Sequence, residues 1–316
     1  MADEPRDEKP IGAHAKHFAQ PVEPKGAVEG RTATRDDAPG AAASDGDRAG
    51  GSISKRGASA PAAKPKRNKI LVVVIIVCLI IAAGAGGYVW HMNQLEQQRA
   101  QEMAKSDKPA TKVKKTGKSL PANPIDFASL VKENADIYAW LYIPGADINT
   151  PLLQSQTDDL FYLDHDKDGK SDPYGTAFTQ KANSRDFSDP VTVAYGHVNG
   201  GVFHNLHYFE DADFFNKNKE FYIYTPGHIK TYEVIAAYQY DDRHILNSFN
   251  FADESVRQQY FDSVLNPESL NKNVRDGVTL NADSKIVQLS TCMLDSSQSN
   301  SRYIVTGLLT NDQETK

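Results

Sequence analysis

A mostly antiparallel β-barrel or sandwich, built as one folded domain on a membrane anchor, is the fold class the sequence predicts, and three observations lead to it. Of the 316 residues, the first 69 are rich in Ala, Gly, Asp, Arg and Lys and nearly lack aromatic and branched apolar side chains. Such a segment buries too little surface to offset ordering entropy, so residues 1–69 are expected to be a disordered tail. Residues 70–90 then read ILVVVIIVCLIIAAGAGGYVW, 21 residues without a charge. Beyond about residue 120 the chain is dominated by short runs rich in Tyr, Ile, Val and Thr, separated by Gly, Pro, Asn and Asp clusters. Runs of that kind are strands and turns, and the length left for them suits a single core.

The apolar stretch is the first element. At 1.5 Å rise per residue, about 20 residues cross a hydrocarbon core of ~30 Å. A cleavable signal peptide has a shorter apolar stretch close to the N-terminus, whereas this one begins only after 69 residues. Lys55, Arg56, Lys64, Lys66, Arg67 and Lys69 precede it without a nearby acid, while Arg99, Lys105 and Lys108 after it are offset by Glu96, Glu102 and Asp107. The positive-inside bias therefore predicts a cytoplasmic N-terminus and an extracellular folded domain at the cell membrane. Residues 91–124 follow as a juxtamembrane stalk: good helix formers from His91 to Lys105, then a Lys- and Pro-containing spacer. Residues 125–316 remain for the folded domain. The formal net charge of −6 and the absence of a basic patch interleaved with aromatics argue against nucleic acid as a partner.

Within the domain, Asp126 to Trp140 carries apolar residues at Phe127, Leu130, Val131, Ile137 and Trp140. That spacing predicts one amphipathic helix, or two short ones broken near Asn134. Seven strand-like runs come next: AWLYIPG (139–145), GTAFTQ (175–180), PVTVAYG (190–196), EFYIYT (220–225), KTYEVIAAYQY (230–240), KIVQLSTC (285–292) and RYIVTGLL (302–309). Between the fifth and sixth, Ala252 to Leu265 has helix formers with acids in its first turn and is expected to be a helix.

Chemistry-bearing residues gather at the ends of these runs. Cys78 lies in the apolar segment and Cys292 near the far end of the domain, so a disulfide between them would have to join membrane to domain. A lone extracellular cysteine is either buried and inert or a reactive thiol. Val287, Leu289 and Thr291 alternate with Gln288, Ser290 and Cys292, so Ser290 and Cys292 share a face of an extended strand. If this strand and the next pair as a hairpin, Cys292 and Arg302 share a rim, and His197 reaches the same rim from the end of PVTVAYG. Thiol, imidazole and guanidinium are the parts needed for acyl transfer through a thioester. Nearby positive charge favours the thiolate, an imidazole exchanges the protons, and a fixed Arg donates to the developing oxyanion.

Leu289-Ser290-Thr291-Cys292 with Arg302 ten residues on, and Tyr195-Gly196-His197 upstream, resemble the active-site segments of sortases, the membrane-anchored cysteine transpeptidases of Gram-positive bacteria. AWLYIPGADINTPLLQ at 139–154, FYLDHDKDGKSDPYGTAF at 161–178, and GHVNGGVFHNLHYFEDADFFNKNKEFYIYT at 196–225 are similar in order and spacing to class B. The resemblance implies an eight-stranded sortase barrel with N-terminal helices and an extra helix before the strand carrying the nucleophile. It implies Cys292 as nucleophile, His197 as general acid/base and Arg302 as substrate and oxyanion stabiliser. Ser290, Thr291 and Asn199 would contact substrate, although Val198 stands where class members commonly have the Asn. The implied reaction needs no cofactor: a sorting signal of Asn-Pro-x-Thr-Asn/Gly type is cleaved after Thr, and the surface protein that bears it passes to an amine of a peptidoglycan precursor or of a pilin. Pilus-building members often carry a second, C-terminal span, so the polar NDQETK end favours wall anchoring. The alternatives are a secreted cysteine peptidase, in which water resolves the thioester, and a non-catalytic wall-binding or sensor domain.

Two other patterns imitate metal sites. Asp164 to Gly169 has the acids and Gly of a calcium loop, but Gly175 stands where the bidentate Glu belongs, so a polar turn is expected. His204 and His207 lie three apart without an acidic or thiol partner in a matching pattern, and no zinc is expected there.

Overall fold

The computed structural model describes residues 69–105, 107–114 and 119–316. The tail expected to be disordered, residues 1–69, lies outside them except for its last residue. The first helix, α1 (Lys69–Lys105), is long and apolar enough over Val72–Arg99 to cross a membrane. Its side chains from Val72 to Trp90 are exposed throughout, as a lipid-facing surface requires. The helix up to Val89 belongs to one compact unit, and Trp90–Lys316 to another.

In the second unit, α2 (Phe127–Glu133) starts where the Asp126 carboxylate accepts the Ser129 N–H at 3.1 Å, a cap of about 1 kcal/mol. It ends where the Asn134 N–H closes on Leu130 O at 2.9 Å. The helical reading that ran on to Trp140 is thus corrected: Ile137–Ile143 is strand β1. Ile137, Tyr138, Leu141 and Tyr142 are all buried. A β-branched and aromatic run buried on both faces fits a sheet better than one face of a helix.

The remaining strands are β2 (Ile148–Leu153), β3 (Phe178–Thr179), β4 (Val191–Tyr195), β5 (Glu220–Thr225), β6 (His228–Asp241), β7 (Lys272–Val274), β8 (Ile286–Cys292) and β9 (Ser301–Glu314). Their order is β5-β1-β2-β3-β4-β8-β9-β6, and β5 pairs with β6 to close a ring of eight strands. A closed ring has no open edge to protect. The ninth strand, β7, adds only to the second half of β6, beyond the stretch taken by β5. Two pairings are parallel, β2 with β3 and β4 with β8; the others are antiparallel.

Side-chain alternation sorts the core into two layers. Leu141, Phe221, Tyr232, Val287, Leu289, Tyr303 and Val305 fill the barrel interior, with Phe203, Leu206, Phe209 and Phe215 from the segment around α3 (Ala212–Lys217). Outside the barrel, Ile235, Ile286 and Ile304 pack against Tyr260, Phe261 and Val264 of α5 (Glu254–Leu265), which follows the short α4 (Ile245–Ser248). Buried Gln288 of β8 crosses this second layer: it accepts from Tyr260 Oη at 2.6 Å and donates to Tyr238 Oη and Thr306 Oγ1 at 3.3 Å each. A polar side chain so fully satisfied fixes α5 over β8 in one register.

Part of the stretch expected to be a free spacer is bound to the barrel. Tyr224 Oη donates to Ala110 O at 3.2 Å, and Gln313 Nε2 donates to Val113 O at 2.7 Å. Asn123 Nδ2 donates to Thr225 O at 2.9 Å and to Thr315 Oγ1 at 3.0 Å, while the Lys316 N–H reaches Pro121 O at 2.8 Å. Val113, Ile125 and Leu130 cover Tyr142, Tyr222, Tyr224 and Ile229 beneath this strap.

Candidate active site

The rim at the C-terminal ends of β4 and β8 gathers the chemistry. In the β8–β9 hairpin Cys292 stands directly opposite Arg302, and Arg302 in turn pairs with Tyr240 of β6. Strand β4 runs parallel to β8, with Tyr195 level with Ser290, and the Gly196 N–H donates to Ser290 O at 3.2 Å. The next residue, His197, therefore leaves the sheet beside the end of β8. Cys292, His197 and Arg302 line one small cleft with Ser290, Thr291, Tyr195 and Leu163. A cavity of about 940 Å³ between α5 and β6 is far larger but has neither thiol nor imidazole in its walls.

Each group is held by backbone. Arg302 Nη1 donates to Ser299 O at 3.1 Å and to Ser301 O at 3.0 Å, which orients the guanidinium plane. His197 Nε2 lies 2.8 Å from Leu163 O and must donate to it, leaving Nδ1 as the nitrogen for proton exchange. Gly201 passes so close beneath His197 that a Cβ there would meet the histidine's own Cβ and carbonyl. His204 Nδ1, 3.0 Å from Val198 O, braces the same loop.

Burial holds His197 below the usual imidazole value of 6.5, and its bond to Leu163 O only partly opposes that. His244, which bonds Gln180 Oε1 at 2.7 Å, is lowered by burial as well. For both, the unfolded chain takes up a proton before the folded one does. Stability is therefore full above pH 6.5 and is lost as pH falls from there through the folded-state values. Titration of His197 followed by NMR should give a midpoint below 6.5, and the thermal midpoint should fall from pH 7 towards pH 5. A His197 midpoint at or above 6.5 would show that the ring is solvated.

Of the expected substrate-binding residues, Ser290 is buried on the face shared with Cys292. Thr291 alternates to the core side opposite Tyr303, and its buried hydroxyl has no hydrogen-bond partner among the described residues. Asn199 is exposed and outside the cleft, because Val198 takes the inward position after His197 and is buried. Asp164–Gly169 forms a turn, closed by the isolated bridge between His165 and Ser171. Sequence reasoning missed His207. Its Nε2 lies 2.9 Å from Cys292 O and its Nδ1 lies 2.5 Å from Glu210 Oε1. The only signal was the His-x-x-Glu spacing in a helical turn, which also fits a solvated surface pair.

Comparison with known proteins agrees with this architecture. A family model described as a sortase domain matches residues 141–310. The chain is 28% identical to sortase B of Listeria monocytogenes over 188 residues, which is 58% of this chain and 74% of that protein. It is 26% identical to sortase B of Staphylococcus aureus, over 57% of this chain and 72% of the other. Among solved structures, sortase B of Clostridium perfringens superposes with a TM-score of 0.52 at 28% identity, covering 58% of this chain and 99% of that one. A Streptococcus pyogenes class B sortase involved in pilus biogenesis superposes with a TM-score of 0.51 at 27% identity, covering 59% and 98%.

Proposed function

The chain belongs to the sortase family, as a class B cysteine transpeptidase acting on proteins that bear a sorting signal, and from that premise we propose a residue-level mechanism and a substrate class. The sorting signal is of the Asn-Pro-x-Thr-Asn/Gly type and is cut after Thr. The Cys292 thiol passes its proton to His197 Nδ1, and the thiolate attacks the Thr carbonyl carbon. Arg302 donates to the oxyanion that forms. The intermediate collapses as the C–N bond breaks and the His197 imidazolium returns the proton to the leaving amine. The surface protein is now a thioester on Cys292. An amine of a cell-wall precursor then attacks, giving its proton to Nδ1, and as the C–S bond breaks the imidazolium returns that proton to the leaving thiolate, restoring the thiol.

One observation carries this reading: the cross-strand pairing of Cys292 with Arg302, at the edge of the cleft that His197 also lines. Ser290 is the proposed side-chain contact to substrate, and Thr291 lines the cleft beside it. The apolar part of α1 is the proposed anchor, with the barrel outside the cell, as the basic residues before it favour. To test the reaction, the full chain in detergent micelles is given a sorting peptide with and without an added amine. Peptide joined to the amine at Thr is the expected product. Cleavage to the free acid alone, at the same rate with amine present, would make the chain a peptidase instead.

A further inference from the structure

His207 is a buried polar side chain that touches the backbone of Cys292. Its side chain is only 4% exposed, and its two ring nitrogens face Glu210 Oε1 at 2.5 Å and Cys292 O at 2.9 Å. A carbonyl only accepts, so Nε2 carries a hydrogen. The Glu210 carboxylate against the other nitrogen fixes the plane of the ring. The ring also stacks on Tyr303, with centroids 4.8 Å apart and planes 25° from parallel. Tyr303 follows Arg302 in β9 and pairs with Thr291 in β8. One imidazole thus holds the last carbonyl of the strand that bears the thiol and the ring beside the guanidinium.

The support behind His207 is firm. It lies in a 3₁₀ turn, His204–Glu210, whose Leu206 and Phe209 are in the barrel core. Asn205 Nδ2 donates to Ala146 O at 2.8 Å, and Asn273 Nδ2 of β7 donates to Phe209 O at 2.8 Å and Glu210 O at 3.0 Å. Beyond Cys292, by contrast, residues 294–300 are mostly exposed. The strand end that carries the thiol would fray into that run if its final carbonyl were not held.

We propose that His207, oriented by Glu210, is a positioning residue that fixes the Cys292 backbone and so aims the thiol at the cleft shared with His197 and Arg302. The inference rests on the reading of Cys292 as nucleophile. A nucleophile set off by about 1 Å loses on the order of 10²-fold in rate, and the loss falls on kcat because the peptide groove is untouched.

The test compares His207→Phe, which keeps bulk and ring stacking but has no donor, with His207→Gln, whose amide restores a donor near the Nε2 position. Full-length protein in micelles is assayed for turnover of the sorting peptide and for alkylation of Cys292 by iodoacetamide, read by peptide mass so that Cys78 is not counted. The expected result for His207→Phe is a kcat lower by about 10- to 100-fold with KM near wild type, and slowed Cys292 alkylation. In His207→Gln most of both rates should return. Wild-type rates in His207→Phe, or equal losses in the two variants, would overturn the positioning role. If His207→Phe does not fold by circular dichroism, His207→Gln and Glu210→Gln decide. Full loss in the first, or no loss in the second, counts against the proposal. Wild-type protein that leaves the peptide uncut would instead overturn the reading of Cys292, and that is seen before any variant is compared.

Discussion

Cys292→Ala should lose all measurable thioester formation, a fall in kcat of about 10⁵–10⁶, the scale on which removal of a nucleophile acts. The fold should be unaffected. Cys292 is exposed at the end of β8, so removing its sulfur opens no cavity in either core layer, and exposed substitutions of this kind change stability by about 0.5 kcal/mol or less. Intact-mass spectrometry after mixing with the sorting peptide should show an acyl adduct on the wild type and none on the variant, while the two thermal midpoints agree. Turnover by the variant would remove Cys292 from the mechanism.

Arg302→Lys should be nearly as damaging although it keeps the charge. The guanidinium is anchored through Nη1 to Ser299 O and Ser301 O while its planar fork continues towards the cleft. A lysine ammonium is a point donor on a flexible stem and cannot be anchored and aimed at once. Loss of one preorganised oxyanion donor costs ~10²–10³ in kcat. Because that contact strengthens only as charge develops, KM for the sorting peptide should change little. Steady-state kinetics giving a wild-type kcat for Arg302→Lys would reduce Arg302 to a surface charge.

Much of this was legible from the chain because the site lies at strand ends. Period-two alternation put Ser290 and Cys292 on one face, and the hairpin length put Arg302 opposite Cys292. Seven of the eight barrel strands stood out as β-branched and aromatic runs. The eighth, β2, did not: its INTPLL has Pro151 in the middle, a residue without an amide hydrogen that ordinarily argues against a strand. It is tolerated beside Trp140 of β1. His207 was seen only as half of a pair with His204, because its real partners are 85 residues away at Cys292 and in the same turn at Glu210. Gln288 was hidden likewise, since alternation marks which face a side chain takes but not that Tyr260 of a distant helix will meet it. The strap escaped notice because Ala110, Val113 and Pro121 bind through their backbone carbonyls, which leave no pattern in the side chains.

That strap also makes the barrel's longest ladder a mechanical element. Ala110, Val113, Pro121 and Asn123 of the strap are bonded to Tyr224, Thr225, Gln313, Thr315 and Lys316. These contacts gather where β6 begins at His228, whereas Cys292, Arg302 and Tyr240 lie where β6 ends. A pull on the strap therefore enters the barrel at the end away from Cys292. Between the two ends runs the antiparallel ladder of β6 with β9, 14 residues in each strand, so the force is spread in shear over many backbone hydrogen bonds. The short stretch of β8 that ends in Cys292 is then not the element that must give first.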